Sequence, residues 1–260
     1  MQTRIERIRK DIEQLAAFTA APGAGVTRYS FSEEDRKARA YIRREMEDAG
    51  LRPYEDGAGN LFGRRDGRKN DAPPVMVGSH FDSVPNGGAF DGDAGVSTAL
   101  EIARILRDER IATERPMEFA ALIEEEGARF ACGLYGSRAM TGLLGEAHLD
   151  TFTDRDGRTL RSVLRDFGFA PERFTTARRE PGSIAAFLEL HIEQGPVLES
   201  EGTDLGIVSA IVGVSQFEAK FTGRADHAGS TPMTLRKDAL AAAAEVVLAL
   251  QAAARREGEG

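Results

Sequence analysis

The chain has 260 residues, which suits one large domain or two ordinary ones, and its 41% hydrophobic content is enough to bury a sizeable core. The formal net charge of -8 argues against a nucleic-acid-binding surface, which would require a basic patch. A single cysteine, Cys132, excludes an intramolecular disulfide and is typical of a reducing compartment. Since no apolar stretch has the length of a signal peptide or a membrane span, the sequence predicts a cytoplasmic protein that does not act at membranes.

Helical and strand patterns alternate along most of the chain. Apolar residues three or four positions apart indicate helices, and short apolar runs bounded by turn residues indicate strands. In chain order, we expect a helix over 4–18, a helix over 32–50, strands over 60–65 and 74–79, a helix over 94–110, a strand over 116–126, a helix over 158–167 and a strand over 184–195. This order predicts an α/β fold.

The pattern changes after residue 211. Polar and apolar side chains alternate over 214–221, which is typical of a half-exposed antiparallel strand, and an alanine-rich helix is expected over 236–254. We expect 1–211 to form one domain and 212–260 to begin a smaller α+β domain. A lone strand leaves its sheet edge unpaired, so we also expect the natural protein to continue further.

Residues able to do chemistry follow three of the predicted strands. The loop GSHFDSVPNGGAFDGDAGV places His80, Asp82, Asp91 and Asp93 among glycines after one strand, and the next two strands end in the acids of 124–126 and in the histidine of HIEQG. A solvated turn needs glycine and acid but has no need of a histidine. Because binding crevices lie at the carboxyl ends of strands in open α/β sheets, we expect these residues to converge.

Imidazole nitrogens and carboxylate oxygens are the ligands of catalytic divalent cations, and two cations usually share a bridging carboxylate. Asp82, two residues after His80 on an extended segment, is placed to hold the imidazole. As neighbours on a strand, Glu125 and Glu126 are expected to point to opposite faces. One would bind metal and the other would take a proton from the attacking water, in an order that the spacing leaves open. The candidate ligands are His80, Asp91, Glu125, Glu126 and His191.

Four blocks in one order carry a resemblance to a known family: HFDSVPNGGAFDGDAGV, EEEGARF at 124–130, HIEQGPVLE at 191–199 and GRADHAGSTPM at 223–233. They resemble the hydantoinase/carbamoylase-type amidohydrolases. These belong to the dinuclear metallopeptidase superfamily, with carboxypeptidase- and aminoacylase-like enzymes. The resemblance implies a mixed central sheet with helices on both faces, plus a smaller lid or dimerisation domain.

The resemblance also implies a set of metal ligands. His80 and His191 would bind the first of two divalent cations, Asp91 would bridge both, and Glu126 would bind the second. Zinc, manganese, cobalt and nickel all suit such nitrogen and oxygen ligands.

Further roles follow from the same resemblance. Glu125 would be the general base, Asp82 would orient His80, and Gln194 would contact the substrate. His227 would reach the active site of the partner in a homodimer and stabilise the oxyanion of the tetrahedral intermediate. His148 and Cys132 match no role, so a surface histidine and a small buried residue are expected.

The histidine at 191 indicates one branch of the family, because the peptidase members tend to carry a carboxylate there. That branch hydrolyses the ureido C–N bond of small linear amides, namely N-carbamoyl-L-amino acids or allantoate. The alternatives are an aminoacylase- or dipeptidase-like hydrolase and a non-catalytic relative. Family members also have a later histidine that completes the second metal site, whereas no histidine follows His227. We therefore expect the chain to be an inactive fragment of a longer enzyme.

Overall fold

The structure, a computed structural model, describes residues 2–211, 213–215 and 217–257. It divides into two compact units, Met1–Gln194 and Gly195–Gly260. The boundary expected after residue 211 falls inside the second unit, and the domain assignment stays a prediction. None of the described helices combines the length and the apolar character needed to cross a membrane. The cytoplasmic location also stays a prediction.

The first unit contains every helix and strand expected before residue 195. It also contains a short strand, a short α-helix and two 3-10 helices that the sequence did not indicate. In chain order the elements are α1 (Ile5–Ala17), α2 (Glu33–Asp48), β1 (Arg52–Glu55), β2 (Leu61–Arg65), β3 (Val75–His80), α3 (Asp93–Asp108), β4 (Met117–Leu122), α4 (Tyr135–Met140), α5 (Leu160–Phe167) and β5 (Ala186–Leu188). The unpredicted elements are β1, α4 and the 3-10 helices Glu146–Asp150 and Pro171–Ala177. Ser32 caps α2 by accepting a hydrogen bond from the backbone N–H of Asp35, as a helix start with acids in its first turn predicts.

The described strands form one five-stranded sheet in the order β1-β2-β4-β3-β5. The pairs β1–β2 and β2–β4 are antiparallel, whereas β3 runs parallel to both β4 and β5. The sheet is therefore mixed, as expected. Because β3, β4 and β5 share one direction, their carboxyl ends lie at the same edge of the sheet.

The central strand β4 is buried on both faces. Phe119 and Ala121 belong to the large core cluster that includes residues of α1, α2 and α3, while Ala120 and Leu122 pack with Met140 of α4 in a second cluster. This arrangement confirms the expected sheet with helices on both faces.

Two strands are shorter than predicted. β4 ends at Leu122, and Glu124 has a φ of 53°, a left-handed conformation that an extended strand does not contain. β5 ends at Leu188, so His191 lies in the loop beyond it. Placing Glu125 on a strand, opposite its neighbour, was therefore wrong: both glutamates belong to a turn.

The second unit contains α6 (Val197–Glu201) and α7 (Ala239–Glu257). The strand expected over 214–221 is absent from the residues described there, and Gln216 lies outside them. A strand is defined by hydrogen bonds to a neighbour, and no strand pairing among the described residues involves this segment.

Candidate metal centre

The residues expected to converge lie together at the shared edge of β3, β4 and β5. His80 is the last residue of β3, and the other ligand candidates lie in the loops that follow the three strands. Two groups of ligand atoms each lie within 4.8 Å of one another. They are His80, Asp91 and His191, and His80, Glu125 and Glu126.

Asp91 contributes one carboxylate oxygen to the first group, and the three ligand atoms form a small triangle. The Oδ1 atom of Asp91 is 3.2 Å from Nε2 of His191 and 3.6 Å from Nε2 of His80, and the two Nε2 atoms are 3.3 Å apart. Among the described residues, this buried oxygen has no hydrogen-bond partner. A buried carboxylate oxygen without a donor is costly, and a cation held by these three atoms would compensate it. The donor set therefore fits a divalent metal.

Both histidines are oriented by a backbone carbonyl. Nδ1 of His80 lies 3.0 Å from the carbonyl oxygen of Asp82, and Nδ1 of His191 lies 2.9 Å from that of Ile192. A carbonyl can only accept, so each Nδ1 carries a proton, and the neutral form of each ring has its lone pair on Nε2. Nε2 is the atom that faces Asp91 in both cases, and this is the tautomer that metal binding requires.

Asp82 acts by a route that differs in detail from the expected one. Its carboxylate accepts hydrogen bonds from the backbone N–H groups of Glu125 and Glu126, at 3.0 and 3.1 Å. The nearer carboxylate oxygen is 3.7 Å from Nδ1 of His80, too far for a hydrogen bond. Asp82 therefore contacts the imidazole through its backbone carbonyl, while its side chain holds the turn that carries both glutamates.

Burial and the dense charge shift the pKa values of the group. Burial lowers the pKa of His80, but the surrounding carboxylates, Asp91 first, outweigh it and raise the value to about 9. The approach of His80 lowers the pKa of Asp91. Burial raises the pKa of Asp82 to about 7 and raises that of Glu126. A divalent cation would oppose protonation of the whole group, so metal binding and proton release are coupled here.

Gly92 allows the loop to pass close to His80. Its φ is 65°, and a Cβ atom there would lie 2.5 Å from the carbonyl oxygen of His80 and 2.6 Å from its Nδ1. Only glycine fits both the backbone conformation and the space. Gln194, also with a positive φ, donates from Nε2 to Oδ2 of Asp91 at 2.6 Å. The predicted substrate residue thus lies against the predicted bridging ligand.

The other two histidines belong to neither group of ligand atoms found among the described residues. His148 is exposed and contacts the backbone of Gly145, which confirms the surface position expected for it. In the second unit, Nδ1 of His227 accepts hydrogen bonds from the backbone N–H groups of Gly229 and Ser230, both at 3.1 Å. Cys132 is buried with a free thiol, as expected.

Two charged residues near the centre, Arg28 and Asp93, form a buried ion pair that the sequence did not indicate. Asp93 pairs with Arg28, whose Nη2 lies 2.6 and 2.7 Å from its two carboxylate oxygens, and both side chains are almost fully buried. Asp93 and Asp91 look alike in the sequence. Arg28 and Asp93 are 65 positions apart in the sequence, so no local pattern would have identified the pair.

Known proteins are similar to this chain in sequence and in fold. An N-carbamoyl-L-amino-acid amidohydrolase from Paenarthrobacter aurescens is 46% identical over 246 residues, covering 95% of this chain and 60% of that protein. An allantoate amidohydrolase from Bacillus subtilis (strain 168) is 39% identical over 236 residues, covering 91% of this chain and 57% of that protein. The crystal structure of a hydantoinase/carbamoylase family amidase from Burkholderia ambifaria matches with a TM-score of 0.83 and 37% identity, over 99% of this chain and 62% of that one.

These matches confirm the resemblance carried by the four sequence blocks, and the chain spans about 60% of the length of the first of these relatives. The family model of peptidase family M20/M25/M40 matches residues 76–260, a range that includes all the candidate ligands. The chain belongs to peptidase family M20/M25/M40.

Proposed function

We propose that the chain is the metal-binding part of an amidohydrolase that cleaves the ureido C–N bond of an N-carbamoyl-L-amino acid or of allantoate. The observation that carries this proposal is the convergence of Nε2 of His80 and Nε2 of His191 on Oδ1 of Asp91, which has no hydrogen-bond partner among the residues that the structure describes. Similarity to an N-carbamoyl-L-amino-acid amidohydrolase and to an allantoate amidohydrolase supports the substrate class.

His80, His191 and Asp91 would hold one divalent cation, and Asp91 and Glu126 would contribute to a second. When bound, such cations polarise a carbonyl group and lower the pKa of water. Zinc, manganese, cobalt and nickel all suit the donor atoms, so we propose no single metal.

Glu125 is the proposed general base. Its side chain is 32% exposed and its Oε2 lies 3.8 Å from Nε2 of His80, so the carboxylate is within reach of both water and the metal ligands. It takes a proton from the attacking water and returns it to the leaving nitrogen. Ammonia leaves, and the remaining carbamate loses carbon dioxide to release the amino acid.

His227 is the proposed donor to the oxyanion, supplied by the partner subunit of a homodimer. Its Nδ1 accepts two backbone hydrogen bonds, so a neutral ring carries its proton on Nε2. The turn thereby presets a hydrogen-bond donor, which is what a developing negative charge needs. Gln194, beside Asp91, is the proposed substrate contact within the same chain.

An aminoacylase- or dipeptidase-like activity is the competing proposal. It is opposed by the histidine at 191, where peptidase members of the superfamily tend to have a carboxylate. A non-catalytic relative would be expected to lose its base or its bridging ligand first, and both Glu125 and Asp91 are present.

The test is ammonia release by the protein at its natural length, with Mn²⁺ added and with N-carbamoyl-L-amino acids and allantoate offered separately. We expect release from one of the two substrates and its loss in Glu125→Gln. The control Glu172→Gln changes an exposed glutamate of a 3-10 helix and should leave release unchanged. If neither substrate releases ammonia while metal is bound, the proposed ureido activity is wrong and acyl-amino acids should be assayed next.

A further inference from the structure

One arginine near the N-terminus, Arg28, hydrogen-bonds to both ends of the loop between β3 and α3. Arg28 lies outside the range 76–260 that the family model matches, and its side chain is 1% exposed. A buried arginine cannot lose its charge, so all of its donors must find acceptors within the protein.

Each nitrogen of the Arg28 guanidinium binds a different part of the chain. Nε donates to the carbonyl oxygen of Phe81 at 2.5 Å, and Nη1 donates to the carbonyl oxygen of Leu15, near the end of α1, at 2.6 Å. Nη2 lies against both carboxylate oxygens of Asp93. The planar group therefore fixes three separate segments relative to one another.

Two of these segments carry the metal ligands. Phe81 is the residue between His80 and Asp82, so its carbonyl belongs to the stretch that places the first imidazole. Asp93 is the first residue of α3, and its backbone N–H donates to the carbonyl of Asp91 at 2.6 Å. Arg28 thus fixes the distance between the segment that bears His80 and the segment that bears Asp91.

The backbone around Arg28 adds further hydrogen bonds to the same loop. Its N–H donates to Oγ of Ser83 at 2.9 Å, and its carbonyl accepts from the N–H of Ser83 at 3.1 Å. The hydroxyl of Ser83 also donates to the carbonyl of Val26 at 3.0 Å, and Val26 forms an antiparallel bridge with Gly87. Residues 26–28 therefore contact the loop that follows His80 at Ser83 and at Gly87.

We propose that Arg28 is a positioning residue for the metal centre, acting through Phe81 and Asp93 without touching the metal or the substrate. This inference rests on the metal site of the proposed function. Lysine keeps the charge but offers a single nitrogen, which cannot reach three segments that the guanidinium joins. Residues that orient metal ligands typically change metal affinity roughly 10- to 100-fold when they are replaced.

The test compares Co²⁺ binding by the wild-type protein and by the Arg28→Lys variant. A titration measures the affinity, and the d–d absorption spectrum of the bound ion reports the ligand geometry. We expect Arg28→Lys to bind Co²⁺ roughly 10- to 100-fold more weakly and to show an altered spectrum. The matched control is Arg104→Lys. Arg104 is a buried arginine of α3 that binds Asp11 and Glu45 on α1 and α2. The Arg104→Lys substitution should lower the thermal midpoint of unfolding and leave the Co²⁺ affinity and the spectrum unchanged.

The outcomes separate the inference from the proposed function. Wild-type protein that binds no Co²⁺ overturns the metal site and both proposals with it. Equal affinity and identical spectra for wild type and Arg28→Lys overturn only the positioning role, as does an equal loss of affinity in Arg104→Lys. If Arg28→Lys does not fold, Asp93→Asn carries the test, because it keeps the size of the side chain and removes the carboxylate that Nη2 of Arg28 binds. An unchanged Co²⁺ affinity and an unchanged spectrum in Asp93→Asn then overturn the inference.

Discussion

The loops around His80 and His227 are alike in composition and opposite in structure. Both are rich in glycine and serine and both place a histidine close to an aspartate. His80 is almost fully buried, and two of the ligand atoms near its Nε2, from His191 and Glu125, come from distant parts of the chain. His227 is exposed and hydrogen-bonds within its own turn. A histidine becomes a candidate metal ligand when the fold brings other ligands to it, and the loop composition alone does not decide this.

The largest expected effect is on metal binding, which should depend on His80 and not on His227. His80→Ala removes the one residue shared by both groups of ligand atoms, so we expect metal affinity to fall by more than the roughly 100-fold that replacing a supporting residue causes. Metal content after dialysis against a limiting concentration of Zn²⁺ measures this. His148→Ala, which changes an exposed histidine, is the control, and a His80→Ala protein that retains its full metal content would remove the basis of the comparison.

His227→Ala should have the complementary effect. The proposed donor stabilises charge that develops only in the transition state, so we expect kcat to fall by roughly 10²- to 10³-fold. Metal content should stay at the wild-type level, since His227 lies in neither group of ligand atoms. Steady-state ammonia release by the natural-length protein and metal analysis of the same samples measure the two quantities. Loss of metal together with loss of activity would show that the two loops are not distinct in function.

The Gly92→Ala substitution tests whether the loop around His80 depends on close packing. The added Cβ would collide with the carbonyl and ring of His80, and the residue would have to keep a φ of 65°. We expect a loss of about 1–3 kcal/mol in the free energy of unfolding, measured with denaturant, together with weaker metal binding. Gly88→Ala in the same loop is the control, because no atom lies within 4 Å of the Cβ it would add. Equal stability of the two variants would contradict the expectation.

The smallest expected effect concerns Cys132, which follows the turn of Glu125 and Glu126. Burial raises the pKa of its thiol above the usual value of about 8.5, so the reactive thiolate is scarcer at pH 7.5 than in a free thiol. We expect slow alkylation by iodoacetamide in the folded protein, faster alkylation as the pH rises, and rapid alkylation in urea. Mass spectrometry of timed samples measures the rates. A folded-state rate as high as the rate in urea would show that this side of the centre is open to solvent.

Most of the elements around the centre could be predicted because their signals are local. The periodicity of α1 and α2 and the apolar runs of β2 and β3 depend on residues close together in the chain. The limit is shown by the short strand β5 and by the expected strand over 214–221, which is absent from the residues described there. Strand length depends on pairing with a neighbour that is often distant in the chain. The position of Glu124 in a left-handed turn was also beyond a local pattern.

The sequence by itself determined the α/β class, the order of strands and loops, and the set of residues able to bind metal, because composition and spacing are properties of neighbouring residues. The tertiary structure decided how those residues act together. It directed Nε2 of both site histidines towards Asp91, gave Asp82 a hold on the turn of the two glutamates, and separated Asp93 from Asp91 by pairing it with Arg28. The physical reason is that His191 and Asp91, Asp82 and the turn of the two glutamates, and Arg28 and Asp93 lie on separate segments, which only the folded sheet brings together.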